Sequence, residues 1–527
     1  MESLRDDISL SDLSLALLTG IAYPVLFVVP RLGIAAFLLF LPLLTALRGK
    51  RPRQAFLLGL AAGTAANFAG QYWLIGTLTR FGGFPLAASA LFHLVLSLYE
   101  GLMFAVASYL TVRLRLTTPI TPVRSVVFAS LWTSLEFLFP YLFPYGVANL
   151  LVDYTSLIQV LDLFGLYALG FVVYLVNYAL YGLLPVRGSP RTIALGTIAL
   201  AAAAVLSVAA YGVLRLGQVE RLIGSAPSIT VGVVQGNFDY MMKTQVNERE
   251  MTAVYDEMSR ALAPHRPRLV IWPETAVQAW ISTDATFFGR DEAPFVPSMD
   301  DTYFLVGGLA YEVPPEGDLR HGVRQYNVAV LVDPKGTIVG MYRKMKLLLF
   351  GEYLPFSSIF PAVKRLSPAS GDFTPGTEYT VLTAGDDALR IAPLICYEDI
   401  LPPLTRRFAA RGATLLVNLT NDAWFGRTVQ PYQHLRLSVP RAVETRRYLV
   451  RATNTGISAV VDPAGRVVVR SGLFTRESLV AEVGLIEDST LYTRVGDLFA
   501  WACVIWVVLW VAFYAAGARA RRRAERK

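Results

Sequence analysis

Long uncharged stretches at both ends of the chain, enclosing a middle of ordinary polarity, restrict its fold more than any other feature. Residues 1–214 and 497–517 hold nearly all of these stretches, whereas 215–496 has the mixed character of a globular domain. Crossing the hydrocarbon of a bilayer takes about 20 mostly apolar residues. The first region therefore predicts seven helices, near 11–29, 32–48, 54–78, 84–112, 123–143, 156–185 and 191–214, and Leu498–Ala516 predicts an eighth. Composition agrees: 54% of the 527 residues are hydrophobic and 17% charged, too little charge for a soluble chain of this length. A second apolar run follows the first almost at once without a small-residue cleavage site, so the first reads as a retained helix. The expected division is a transmembrane domain at 1–214, a globular domain at 215–496, and a helix with a basic tail at 497–527.

Basic residues set the expected orientation, because Lys and Arg collect in cytoplasmic loops. Arg48, Lys50, Arg51 and Arg53 lie between the second and third runs, Arg113, Arg115 and Arg124 between the fourth and fifth, and Arg187 and Arg191 between the sixth and seventh. The tail adds Arg519, Arg521, Arg522, Arg523, Arg526 and Lys527. All four clusters share one side if both termini are cytoplasmic, which puts 215–496 on the extracytoplasmic face. The net charge of +8 then belongs largely to a juxtamembrane tail beside anionic lipid and calls for no nucleic acid. The histidines (His93, His265, His321, His434) are scattered, and no zinc spacing, phosphate loop or dinucleotide fingerprint appears, so neither metal nor cofactor is expected.

Within 215–496, apolar runs at 228–235, 268–272, 303–309, 326–332, 337–342, 389–395, 414–419, 456–461 and 467–470 alternate with turns and with amphipathic stretches at 247–263 and 435–447. Such alternation predicts an α/β sandwich. Polar residues gather where strands end: Glu274, Cys396 and Asn421 each directly follow an apolar run, the position at which open α/β sheets place their chemistry. Each has a structural reading as well. A free cysteine is most often a small core hydrophobe, Pro-Glu often a turn, and Asn-Asp often a cap. Cys396 has one possible disulfide partner, Cys503, which lies inside the last apolar run.

Taken in order, three segments resemble the nitrilase superfamily and its Glu-Lys-Cys triad. They are Trp272-Pro273-Glu274, Tyr342-Arg343-Lys344 followed by Phe350-Gly351-Glu352, and Ile395-Cys396-Tyr397-Glu398. The resemblance narrows to the apolipoprotein N-acyltransferase family through Lys344 to Phe356, Asn418 to Gly426, Gln433-His434, Arg451 to Gly456, Gln71-Tyr72-Trp73, Phe81-Gly82-Gly83 and Thr493 to Asp497. It implies a polytopic α-helical membrane domain of about eight helices with an extracytoplasmic nitrilase-like αββα sandwich, in the bacterial inner membrane with the catalytic domain periplasmic. Two positions depart from the family pattern, Leu349 before Phe-Gly-Glu and Tyr145-Gly146 in a Phe-Pro-rich loop.

The implied reaction moves an acyl chain from a phospholipid to Cys396 as a thioester. The chain then passes to the α-amine of a diacylglyceryl-modified N-terminal cysteine of an apolipoprotein. Glu274 is the expected base, Lys344 the oxyanion partner with Lys346 as rival, and the Tyr397 backbone N–H a second donor. Glu352 is expected to position Lys344 or a lid, Glu398 to brace the cysteine turn, and Trp424 to support substrate. The apolar residues Leu347, Leu348, Leu349, Phe350, Tyr353, Leu354, Phe356, Ile359 and Phe360 suggest a lid that dips into lipid, or else a buried loop core. Glu100, Glu136 and Asp162, inside predicted spans, are expected to pair within the helix bundle or face a groove. A membrane-tethered amidase with water as second nucleophile, and a non-enzymatic polytopic protein, are the competing readings.

Overall fold

The computed structural model describes residues 8–184, 195–238, 248–290, 293–313, 322–349, 351–353, 372–385 and 388–524. Arg187, Arg191, His321, Phe350, Leu354, Phe356, Ile359, Phe360, Arg526 and Lys527 lie outside the described residues. The chain divides into two compact units, one of Met1–Ile75, Leu86–Arg215 and Val495–Lys527, the other of Gly76–Pro85 and Leu216–Arg494.

The first unit is helical. Four of its described helices are long and apolar enough to cross a membrane: Leu10–Val28, Leu86–Arg113, Leu195–Ser225 and Leu498–Gly517. The other expected spans are shorter or broken. Residues 32–48 form a 3-10 helix, Pro30–Leu38, and a short α-helix, Leu41–Ala46. Run 54–78 splits into Pro52–Gly70 and Trp73–Arg80, and 123–143 yields Pro122–Leu138. Run 156–185 is broken into Thr155–Ile158, Leu161–Phe164 and Leu166–Tyr181. The last break falls at Gly165, whose φ of 68° is open to glycine and costly for other residues. Hydropathy counts apolar residues and cannot register such a reversal.

The buried acids of this unit have internal partners. Asp162 accepts from Arg215 Nε and the Tyr211 hydroxyl, both at 2.7 Å. Glu100 accepts from Gln71 Nε2 at 2.6 Å and the Leu142 N–H at 3.3 Å, and Glu136 from the Tyr174 hydroxyl at 2.5 Å and the Val147 N–H at 3.2 Å.

The second unit is an α/β sandwich. Its strands are β1 Ser228–Gln235, β2 Leu269–Ile271, β3 Trp280–Ser282, β4 Gly289–Arg290, β5 Ala293–Pro294, β6 Tyr303–Glu312, β7 Arg324–Val332, β8 Ile338–Arg343, β9 Leu382–Thr383, β10 Arg390–Ile395, β11 Leu415–Thr420, β12 Tyr448–Thr453, β13 Ala459–Val461, β14 Val467–Arg470 and β15 Glu477–Gly484. One sheet runs β15-β1-β2-β6-β7-β8, with β3 on β6; the other runs β14-β13-β12-β11-β10-β9. Parallel strands lie at the centre of each, β1-β2-β6 and β10-β11-β12. Strands covered on both faces read as continuous apolar runs, and all six residues of β11 are buried.

The sheets face each other across one core, with Val231, Val233, Leu305 and Leu331 from the first meeting Leu394, Val417, Leu419 and Val450 from the second. Helix Glu248–Arg260 covers the outside of the first sheet through Met251 and Tyr255, four residues apart and so on one helix face. Helices Pro402–Ala410 and Gln430–Thr445 pack with the second sheet through Leu404, Phe408, Leu435 and Val439. The order helix, sheet, sheet, helix is that of an αββα sandwich.

Candidate active site

Glu274, Lys344 and Cys396 each leave the end of a strand: β2, β8 and β10 respectively. The Glu274 turn presses against β6 at Gly307, where a Cβ would lie 2.4 Å from the Pro273 carbonyl oxygen and 2.6 Å from Glu274 Cα. Glycine at 307 is thus a condition for placing the carboxylate. Trp272, just before it, is fully buried and donates Nε1–H to Ser259 Oγ at 2.9 Å.

The Lys344 N–H donates to the Asn327 carbonyl at 2.9 Å, which continues the β7–β8 ladder by one residue. Its ammonium lies 2.8 Å from Glu352 and 3.3 Å from Glu274 Oε1. Asn327 Nδ2 donates to Oε1 of both carboxylates, at 2.7 Å to Glu274 and 3.0 Å to Glu352. Glu352 Oε2 also accepts the Leu348 N–H at 2.8 Å. Lys346 is exposed, whereas Lys344 is 1% exposed, so burial and pairing single out Lys344.

Cys396 opens the 3-10 turn Cys396–Ile400 with φ of 54°, a conformation that costs a residue with a Cβ about 1–2 kcal/mol. Surrounding bonds hold it there. Asn418 Nδ2 donates to the Cys396 carbonyl at 2.9 Å. Glu398 Oε2 accepts the Ile395 N–H at 2.8 Å, and Oε1 accepts from Met345 N at 2.8 Å, Lys346 N at 2.9 Å and the Tyr342 hydroxyl at 2.9 Å. One buried carboxylate thereby ties the cysteine turn to the lysine segment. Tyr397 is half-buried beside them. Of the suggested lid, Leu347, Leu348, Leu349 and Tyr353 are half-buried.

Electrostatics link the three strand ends. Burial raises the Cys396 thiol far above its ordinary range, and the Glu274 carboxylate adds to the rise while the Lys344 ammonium opposes it. Burial alone would lower Lys344, but Glu352 and Glu274 outweigh it and hold the ammonium well above the usual lysine range. Burial pushes Glu398 up to about 7 against the pull of Lys344 and the hydrogen bonds it accepts. A thiol, a paired ammonium and a carboxylate in a shielded site are the requirements for a covalent acyl intermediate.

Trp424 lies in the turn Asp422–Phe425. Its ring lies 4.9 Å from that of Phe81, and its carbonyl accepts from Thr77 Oγ1 at 3.1 Å. Asn421 acts as a cap, its Oδ1 accepting from the Ala423 N–H at 3.3 Å and from Asn454 Nδ2 at 3.1 Å. Asn327 and Asn418 complete the geometry. Asn418 interrupts the apolar strand β11 and opens the Asn418 to Gly426 segment, whereas Asn327 follows Arg324-Gln325-Tyr326 at the start of β7, where one more polar residue gives no signal. No group of three or more His, Cys, Asp or Glu side chains suited to a metal ion occurs among the described residues.

The family model described as "Carbon-nitrogen hydrolase" matches residues 230–487, and "Apolipoprotein N-acyltransferase N-terminal domain" matches 16–179. A protein named apolipoprotein N-acyltransferase from Geobacter metallireducens is 36% identical, covering 95% of this chain and 94% of its own. Similarly named proteins from Gloeobacter violaceus (33%, 89% and 87% covered) and Bdellovibrio bacteriovorus (31%, 80% and 78%) also match. Among solved structures, Nit3 of Saccharomyces cerevisiae, a member of branch 10 of the nitrilase superfamily, is 20% identical with a TM-score of 0.36, covering 52% of this chain and 96% of that one. An amidase from Nesterenkonia sp. is 19% identical with a TM-score of 0.34, covering 51% and 94%.

Proposed function

Since the chain belongs to the apolipoprotein N-acyltransferase family and is an N-acyltransferase, we propose that Cys396 carries the acyl group between a phospholipid and a lipoprotein amine. The Cys396 sulfur attacks the ester carbonyl while Glu274 takes the thiol proton. The ester C–O bond breaks, the proton passes to the departing alkoxide, and a lysophospholipid leaves an acyl thioester behind. The α-amine of the diacylglyceryl-cysteine N-terminus of an apolipoprotein then attacks the thioester carbonyl and gives a proton to Glu274. The C–S bond breaks, the sulfur regains a proton, and the product is an amide. Lys344 stabilises both tetrahedral oxyanions, with the Tyr397 backbone N–H as second donor, and the sequence is ping-pong. Thioester energy drives the second step, so neither nucleotide nor metal is needed.

The observation that carries this reading is the Lys344 ammonium, buried between Glu274 and Glu352 and coupled to the Cys396 thiol. Glu352 positions Lys344, Glu398 braces the cysteine turn, and Trp424 supports substrate. In this proposal 1–214 forms the membrane domain, 215–496 the catalytic domain, and 497–527 the last crossing with its cytoplasmic tail. The chain is a multi-pass protein of the bacterial inner membrane with both termini cytoplasmic and the catalytic domain periplasmic. Its eight crossings include broken helices near 30–46 and 155–181, which a bilayer accepts where neighbouring helices shield the backbone. The amidase alternative gives way to the N-terminal domain match over 16–179.

The test supplies the purified protein with phospholipid and a diacylglyceryl-cysteinyl peptide bearing a free amine, read by mass spectrometry beside Cys396→Ala. An acyl mass on Cys396, passed to the peptide and missing from the variant, is expected. Folded protein in lipid that yields neither adduct nor modified peptide would overturn the assignment.

A further inference from the structure

Behind the cysteine turn, four elements bury a cluster that the acyl-transfer steps do not use. His434, in helix Gln430–Thr445, places Nδ1 2.9 Å from Asp422 Oδ1 and Nε2 3.0 Å from Asp399 Oδ1. Asp399 belongs to the turn that begins with Cys396, and Asp422 to the turn that contains Trp424. Both aspartates are fully buried and His434 nearly so. Asp399 also pairs with Arg451 of β12. Arg451 stands in register with Asn418, whose side chain holds the Cys396 carbonyl.

A neutral imidazole has one N–H and one lone pair. Between two carboxylates, one side would set lone pair against lone pair. A ring that donates from both nitrogens satisfies the two at once, so the geometry makes His434 a link between them. Other charged groups of the surrounding elements have partners of their own. Arg441, on the same helix as Arg436 and His434, bonds Glu444 and the Ile400 carbonyl. On helix Pro402–Ala410, Arg406 bonds the Thr493 carbonyl and Arg407 the Tyr379 hydroxyl. Glu398, in the same turn as Asp399, accepts from the lysine segment.

We propose that His434 is a positioning residue for acyl transfer: by bridging Asp399 and Asp422, it fixes the Cys396 turn against the Trp424 turn. The Trp424 turn is in turn gripped by the segment Gly76–Pro85, through Thr77 and through Arg80, which donates to the Phe425 carbonyl at 3.3 Å. The inference rests on Cys396 being the acyl carrier. It adds that the carrier's placement depends on a ring that the acyl-transfer steps do not use.

His434→Gln cannot present two opposed nitrogens to Asp399 and Asp422, whereas Asp422→Asn keeps the shape and a hydrogen-bond partner for the ring. Single-turnover acylation of Cys396 by the full chain in lipid nanodiscs reads both variants beside the wild type, and thermal unfolding shows that each is folded. His434→Gln should be slowed roughly 10- to 100-fold with the KM for phospholipid unchanged, and Asp422→Asn should keep most of the wild-type rate. A folded His434→Gln that acylates at the wild-type rate, or an Asp422→Asn slowed as much as His434→Gln, would overturn the proposal while leaving the acyl carrier intact. If the wild type itself forms no adduct, the function fails, and the proposal that rests on it fails with it.

Discussion

Lys344→Met removes an ammonium that sits 2.8 Å from Glu352 and 3.3 Å from Glu274, with 1% of its side chain exposed. At an effective dielectric near 20, each contact is worth roughly 5–6 kcal/mol of Coulomb attraction, set against several kcal/mol for taking each ion out of water. Methionine keeps much of the volume and none of the charge. Two carboxylates then stay buried without their counter-ion, a loss of about 3–5 kcal/mol. In the wild type, burial lowers Lys344 but the carboxylates raise it well above the usual lysine range. A cation whose pKa is higher folded than unfolded contributes stability that is fully present below the unfolded value, about 10.4 for lysine, and is lost as pH climbs through the raised one. The penalty of Lys344→Met against wild type should therefore have its full size near about pH 7 and shrink above about pH 10. Thermal unfolding at both pH values, beside single-turnover acylation, reads both effects. Acylation should drop about 10²- to 10³-fold for a lost oxyanion donor. A variant as stable as wild type near about pH 7 would refute the reading of Lys344 as the buried counter-ion of Glu274 and Glu352.

Asn327→Ala takes one donor from both Glu274 and Glu352 and should cost about 1–3 kcal/mol, measured by thermal unfolding, with slower acylation. Glu398, raised by burial to about 7, is expected to lower stability as pH rises from its unfolded pKa toward that value, by about 3 kcal/mol in all. Glu398→Gln should flatten that slope while losing about 1–3 kcal/mol, because its amide faces the Ile395 N–H; unfolding curves from acid to neutral pH would show both. Cys396, held as a thiol by burial and by Glu274, should react with iodoacetamide near about pH 8 more slowly than a free thiol of pKa about 8.5. A rate above that of the free thiol would mean that the resting residue is already a thiolate.

Where the sequence spoke clearly, a local pattern coincided with the physics that decides structure. Apolar runs closed by polar residues became β2, β10 and β11, and the residues just beyond them gather at strand ends. Helix continuity was less visible, since the break at Gly165 is a backbone event within an apolar stretch. Asn327 was overlooked because one polar residue inside Tyr326-Asn327-Val328 hardly disturbs the pattern of a strand, although burial makes its two donated bonds matter. The Asp399–His434–Asp422 bridge was beyond reach for a different reason. Its members lie on three elements, 12 and 35 residues from His434, and only the packing of helix Gln430–Thr445 over both turns brings them together.

A thiol, an ammonium and a carboxylate do not by themselves choose between water and an amine as second nucleophile, since either can give its proton to Glu274. The choice must come from which nucleophile arrives at the thioester. Burial favours the amine through access: Cys396 is 8% exposed and Lys344 1%, so bulk water meets the acyl carbon over a small opening. The same desolvation lifts the thiol pKa, which makes the thiolate a poor leaving group until a proton is ready to return to sulfur through Glu274. That requirement slows water and amine alike, so it holds the acyl group in place while access decides which of them arrives, at the cost of a slower first attack that Lys344 and Glu274 together must overcome.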